Sequence, residues 1–339
     1  MIRTLIYIVL LTCLGLPHAV QGQDEWQDEW QNVHRIVAIG DLHGDYDRYI
    51  TLLKLNGLVN EQLKWQGGKT HLVQLGDVPD RGPDSRKIIQ HLMKLEKQAA
   101  RKGGYVHSLI GNHEAMNISG DLRYVHPGEY AALVDRKSAK RQAAWLKQVY
   151  DFRLAQTPEL ANQEGIMSAL ALEFPLGYVE HRRLWLAGQP LAEWVVQHNT
   201  VIKINRTLFV HGGLNPHEPP LAIREINNTI RQELTDGNLG EGSFSIKETG
   251  PLWYRGLAWH KAEQELLPLE KLLAFYDVDQ IVVAHTPTKG QIVKRLDGKV
   301  ILADVGISAA YGGNLANLLI LDNQFFSVTP DETLPLGAP

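Results

Sequence analysis

Apolar residues in this chain gather into short runs that stop abruptly, and the residues just after each stop are polar. Residues 33–39 form a run rich in β-branched side chains that ends at Gly40, the pattern of a buried strand feeding a turn. The same pattern recurs at 71–75 before Gly76-Asp77, at 106–110 before Gly111-Asn112-His113, at 208–210 before His211 and at 281–284 before His285. Such exits deliver polar side chains to one edge of a sheet, where open α/β folds place their sites. Helical patterns lie between the early strands, at 46–55 and at 84–102, where Ile88, Ile89, Leu92 and Leu95 recur at helical spacing. Strands alternating with helices predict an α/β layered fold. Residues 127–199, rich in Ala, Leu, Gln and Trp, lack a glycine-ended strand and predict a helical insertion or cap. Strand-like runs return at 300–305 and 318–321, and a proline-bearing tail at 326–339 reads as loose.

The strand exits carry five glycine-containing or proline-containing motifs: Gly40-Asp41-Leu42-His43-Gly44, Gly76-Asp77-Val78-Pro79-Asp80-Arg81-Gly82, Gly111-Asn112-His113-Glu114, His211-Gly212-Gly213 and Ala284-His285-Thr286-Pro287. Any one of them occurs by chance in turns; five in order do not. They offer two carboxylates, an amide oxygen and three imidazoles, a mixed oxygen and nitrogen set that suits manganese, iron or zinc. Asp41 and His43 alternate along the chain, so one turn can aim both at a common centre. Asp77 is placed to bridge two ions at the separation of about 3.5 to 4 Å used to clamp a phosphate. Asn112 supplies a neutral oxygen, and His211 and His285 complete the second ion.

Composition narrows the class. A chain of 339 residues with 44% hydrophobic content can bury a large core. Arg3 followed by an apolar run to Leu16 and small residues near Gly22 reads as a secretory signal peptide over 1–22, too short in its core to span a bilayer comfortably. The expected location is therefore secreted or periplasmic, with no stable membrane insertion once the leader is removed. The single cysteine, Cys13, would leave with that leader, and a domain this long folds without disulfides. The net charge of -4 is concentrated in Asp24, Glu25, Asp28 and Glu29, within an imperfect duplication read as an acidic, solvated spacer over 23–32. A nearly neutral remainder offers no basic stripe for phosphates along a polymer, which excludes a nucleic-acid partner.

The five motifs together resemble the phosphoprotein phosphatase family within the calcineurin-like metallophosphoesterases, over residues 33–325. The longer stretches Gly76 through Asp84-Ser85, and Gly111-Asn112-His113-Glu114-Ala115-Met116-Asn117 followed by Gly120-Asp121-Leu122-Arg123-Tyr124, look most like the bacterial Shewanella-like protein phosphatases. The resemblance implies a central β-sandwich flanked by helices and two divalent ions. Asp41, His43 and Asp77 would hold one, and Asp77, Asn112, His211 and His285 the other. His113, oriented by Asp80, would protonate the departing oxygen after attack by a metal-bridging hydroxide. Arg81 and Arg255 would grip phosphate oxygens. Two departures stand out: Pro79 occupies a position that is aliphatic in many relatives, and 306–313, with Tyr311 beside the site, matches only loosely. The implied function is an exported two-metal phosphomonoesterase acting on phosphorylated proteins or peptides. A small-molecule phosphatase or dinucleoside polyphosphate hydrolase would reuse the same ligands, and a non-catalytic metal or phosphate binder would have no use for an acid at His113.

Overall fold

The computed structural model describes residues 26–237, 239–240 and 242–337. The expected leader, 1–22, and the first residues of the acidic segment, 23–25, lie outside the described residues. In chain order the strands are β1 (Glu29–Trp30), β2 (Arg35–Ile39), β3 (His71–Gln74), β4 (Tyr105–Ser108), β5 (Val201–Ile204), β6 (Thr207–Val210), β7 (Gln280–Val283), β8 (Val293–Arg295), β9 (Val300–Leu302), β10 (Asn317–Leu321), β11 (Gln324–Val328) and β12 (Thr333–Pro335). The helices are α1 (Tyr46–Leu55), α2 (Ser85–Ala100), α3 (Asn112–Ser119), α4 (Pro127–Ala131), α5 (Ser138–Gln156), α6 (Ile166–Glu173), α7 (Tyr178–Trp185), α8 (Pro190–Val195), α9 (Ile223–Asp236), α10 (Gly256–Trp259) and α11 (Ala262–Tyr276).

Two six-stranded sheets run in the orders β12-β11-β10-β2-β3-β4 and β1-β5-β6-β7-β9-β8. Their apolar faces share one buried core, with Val37, Leu72 and Leu318 from the first sheet and Phe209, Ile281 and Val300 from the second. In the first sheet β2, β3 and β4 are parallel, as crossovers through α1 and α2 require. Ile88, Ile89, Leu92 and Leu95 form the buried face of α2. In the second sheet β6, β7 and β9 are parallel. Parallel neighbours end on the same edge, so each sheet presents its strand exits together. The two edges meet at Gly40, where a Cβ would lie 2.5 Å from the Ala303 carbonyl oxygen, closer than any side chain permits.

Between α3 and β5 every regular element is a helix, from α4 to α8. The helix α5 has only Ser138 and Leu146 buried, so its stability comes from local pairs and its contacts with α6 and α7. None of the described helices is long and apolar enough to cross a membrane.

Two segments depart from expectation. The acidic stretch is not a solvated spacer where it is described: Glu29–Trp30 pairs in parallel with β5, and Trp30 is buried edge-on against His107, with ring centroids 4.4 Å apart. A two-residue strand has no periodicity to read, and the tryptophan's apolar area outweighs its acidic neighbours. Nor is the tail loose as expected. Chain pairing continues through 326–335 as β10, β11 and β12 zip antiparallel, with Ser327 opposite Leu334. Pro335 sits on the outermost strand, the position where a missing N–H does least harm.

Candidate metal centre

The exits of β2, β3 and β4 bring Asp41, His43, Asp77, Asn112 and His113 to one edge, and those of β6 and β7 bring His211 and His285 against them. All seven are buried. The loops are laced together by Glu114, whose Oε2 accepts from the Asp77 and Gly111 N–H groups at 3.0 and 2.9 Å while Oε1 accepts from Val78 N–H at 2.8 Å. His285 N–H donates to Asp41 Oδ1 at 3.2 Å, which ties the second sheet's edge to the first.

Backbone carbonyls set the imidazole tautomers. His43 Nδ1 lies 3.1 Å from the Pro79 carbonyl and His211 Nδ1 lies 2.8 Å from that of Leu75. Each Nδ1–H donates there, so each Nε2 carries a lone pair into the site. His211 Nε2 stands 2.9 Å from Asn112 Oδ1, 3.2 Å from His285 Nδ1 and 3.3 Å from Asp77 Oδ2. Asp77, His43 and His113 form a second group whose ligand atoms all lie within 4.8 Å of one another, and Asp41 Oδ2 is 3.7 Å from His43 Nε2. Asp77 belongs to both groups. The structure therefore gathers all six residues read as ligands, and it adds His113 to the group of Asp77 and His43.

His113 Nδ1 pairs with Asp80 Oδ2 at 2.5 Å, and its Nε2 is 3.8 Å from Asp77 Oδ2. Arg81 stacks its guanidinium on Tyr124, 3.8 Å from the ring centroid, and its buried Nε has no hydrogen-bond partner. Tyr311 stacks on His43 at 5.1 Å and lies 5.6 Å from the same guanidinium. Arg255 donates from Nη1 to the His285 carbonyl at 2.5 Å and to Thr286 Oγ1 at 3.1 Å, so part of its hydrogen-bonding capacity holds the His285 turn.

Comparison with known proteins places this geometry. The family signature described as Calcineurin-like phosphoesterase matches residues 34–289. The chain belongs to that family. It is 33% identical over 298 residues to an uncharacterized protein of Schizosaccharomyces pombe, covering 86% of this chain and 79% of that one. Identity to Shewanella-like protein phosphatase 2 of Arabidopsis thaliana is 29% over 355 residues, covering 95% and 88% of the two chains. Among solved structures, the cold-active protein-tyrosine phosphatase of a psychrophile Shewanella species is similar with a TM-score of 0.67 and 27% identity, over 92% of this chain and 82% of that one. Family and relatives together make this a metal-dependent phosphatase.

Calcineurin-like phosphoesterases use divalent metal ions, and the residues here fit them. Ligand atoms in a tetrahedral cage with bonds of about 2.0 to 2.1 Å stand about 3.3 Å apart, the spacing seen around His211 Nε2. The electrostatics agree. Burial drives Asp41 well above the usual carboxylate range, and the neighbouring carboxylates of Asp304 and Asp77 push it further. Burial also drives His43 down to about 4, reinforced by His113, and drives His285 well below its ordinary value, reinforced by His211 and Arg255. Asp41, His43 and His285 are thus each held away from charge, whereas the imidazoles of His211, His113 and His43 outweigh burial and keep Asp77 well below the usual carboxylate range. A cation of high charge density would hold Asp41 ionised as well. Burial works against charge on His113 as well, but Asp77 and Asp80 outweigh it and raise its pKa.

Sequence reasoning missed Asp304. It is 1% exposed, packs against Asp41, and is pushed to about 6 by burial. The signal was present: Asp304 follows the apolar run of β9 just as Asp41 follows β2.

Proposed function

We propose that the chain is an exported two-metal phosphomonoesterase that hydrolyses phosphorylated proteins or peptides, with phosphotyrosine preferred or shared with phosphoserine and phosphothreonine. The observation that carries the chemistry is the His113–Asp80 pair, 2.5 Å apart, beside both ligand groups. Asp41, His43 and Asp77 would hold one ion, and Asp77, Asn112, His211 and His285 the other. Divalent ions there supply positive charge against a phosphoryl group and acidify the water that attacks it. The chain's own residues do the rest. Asp80 holds Nδ1–H of His113, so the imidazolium proton on Nε2 is the one available for transfer. As the bond from phosphorus to the leaving oxygen breaks, its electron pair stays on that oxygen and the Nε2 proton passes to it, leaving a neutral imidazole. Arg81, with an unused Nε and a face braced by Tyr124, and the remaining donors of Arg255 would neutralise the equatorial oxygens. The names of the relatives support a phosphoprotein substrate, the Shewanella enzyme supports the aryl ester, and the leader-like residues 1–22 support export.

Turnover of phenyl phosphate, whose leaving oxygen needs a proton, with added manganese should fall roughly 100-fold or more in His113→Asn, within the range of general acid catalysis. Undiminished turnover would remove His113 from the mechanism. A phosphopeptide panel should show release from phosphotyrosine; release from phosphoserine alone would overturn that preference. Protein recovered from the periplasm or medium should begin after the leader, and retention of an intact N-terminus inside the cell would overturn export.

A further inference from the structure

Asp80 is wholly buried and its carboxylate is held at both ends. Oδ2 faces His113, while Oδ1 accepts from Asn117 Nδ2 at 2.9 Å. Asn117 lies one helical turn beyond His113 on α3, and the same amide nitrogen donates to the His113 carbonyl at 3.0 Å. Both protons of the amide are thereby engaged, although its own Oδ1 is buried with no partner. The orientation is nonetheless fixed, because turning the amide over would set its oxygen against a carboxylate and a carbonyl. The backbone of Asp80 is held separately. It adopts φ 74°, a strained conformation for a residue other than glycine, and its N–H donates to Glu129 Oε1 at 3.1 Å. Ser85 Oγ donates to the same oxygen at 2.6 Å. Glu129 is buried on α4, the first helix of the insertion. From α7, deeper in the insertion, Arg182 donates to the carbonyls of Asn117 and Ile118 at the end of α3.

We propose that Asn117 and Glu129 are positioning residues for the acid pair, through which the helical insertion holds Asp80 in register with His113. The proposal rests on His113 being the proton donor. A carboxylate pinned at one oxygen and at its backbone cannot swing away from Nδ1, so the Nε2 proton stays aimed at the leaving oxygen. Loosening either pin misaligns the donor without touching a metal ligand, and misplacements of this kind cost about 10- to 100-fold in rate.

Leaving-group dependence tests it. p-Nitrophenolate departs readily without a proton, whereas the phenolate of phenyl phosphate needs one. In the metal-loaded full chain, Asn117→Ala and Glu129→Ala should lower kcat for phenyl phosphate by about 10- to 100-fold while p-nitrophenyl phosphate loses less than about threefold. KM and bound metal should stay at the parent's values. Glu129→Gln keeps an acceptor oxygen and should recover most of the loss. His113→Asn, run alongside, should show the same selectivity more strongly. If it does while the two alanine variants lose both substrates equally, lose neither, or lose bound metal, the positioning role is overturned and the donor role stands. If His113→Asn itself shows no selectivity, both fall.

Discussion

At Gly111 the backbone runs so close to Asp77 that a Cβ would lie 2.3 Å from its Oδ1 and 2.4 Å from its N. The φ of -103° is open to any residue, so space alone demands glycine. Gly111→Ala must push apart the loops that aim Asp77 and Asn112. Metal retained through gel filtration should fall, and kcat should fall about 100-fold, the scale of a misplacement near 1 Å. Parent-like metal content in that variant would show that the loops can separate harmlessly. Other site residues bear strain of a different kind: His43, Asp77, Asp80, Arg81 and His285 all have φ between 43° and 74°. Such conformations persist where the surrounding hydrogen bonds over-determine them. Asp80 and Arg81 were legible only through the motif they share with the family and His43 because it alternates with Asp41, whereas Asp77 and His285 were legible because each stands where an apolar run stops. Asp304 obeys the same rule but is followed by Val305, so the run reads through it. The partners Asn117 and Glu129 were not legible as such, since nothing in a helical amide or carboxylate says that it points back at a loop 37 or 49 residues away.

Elements long enough to show a period could be read directly. β2, β3 and α2 bury the residues that their spacing marks, whereas β1 and β12, two and three residues long, owe their place to pairing with neighbours. β1 is held by more than its ladder. Lys203 N–H donates to the Asp28 carbonyl and Asn205 N–H to that of Trp30, while Arg231 covers Trp26 at 4.0 Å. The indole of Trp30 closes over His107, Tyr105 and His71. Removing a buried aromatic of this size costs about 3–5 kcal/mol. Trp30→Ala should therefore lower the urea-derived unfolding free energy by about that amount and leave kcat of the folded protein unchanged, since Trp30 touches no ligand or acid. A loss below about 1 kcal/mol would make β1 a passive strand.

The same cluster governs how the whole molecule responds to acid. His71 Nδ1 and His107 Nε2 share a hydrogen bond at 3.0 Å, which requires at least one neutral ring. Burial lowers His71 to about 4, and burial, with His71 and His198 nearby, holds His107 well below its ordinary value. Glu96 lies on the far side, engaged by His198 and Ser108, too far round to neutralise the pair. An imidazole whose pKa is lowered on folding binds its proton more readily in the unfolded chain, so stability rises with pH across the window between the two values. The contribution is complete above about pH 6.5 and is lost as pH falls toward 4. For a fully buried imidazole the slope approaches about 1.4 kcal/mol per pH unit. Carboxylates throughout the protein add their own acid dependence, so the pair must be isolated by difference. In metal-loaded protein, where ions hold the site carboxyls ionised, urea unfolding between pH 7 and pH 4.5 should fall more steeply for the parent than for a His71→Gln/His107→Gln variant. Trp30 emission should report the same transition, because its indole rests on the ring that gains the charge. Parallel slopes for the two proteins would mean that water reaches the pair and solvates its charge in place.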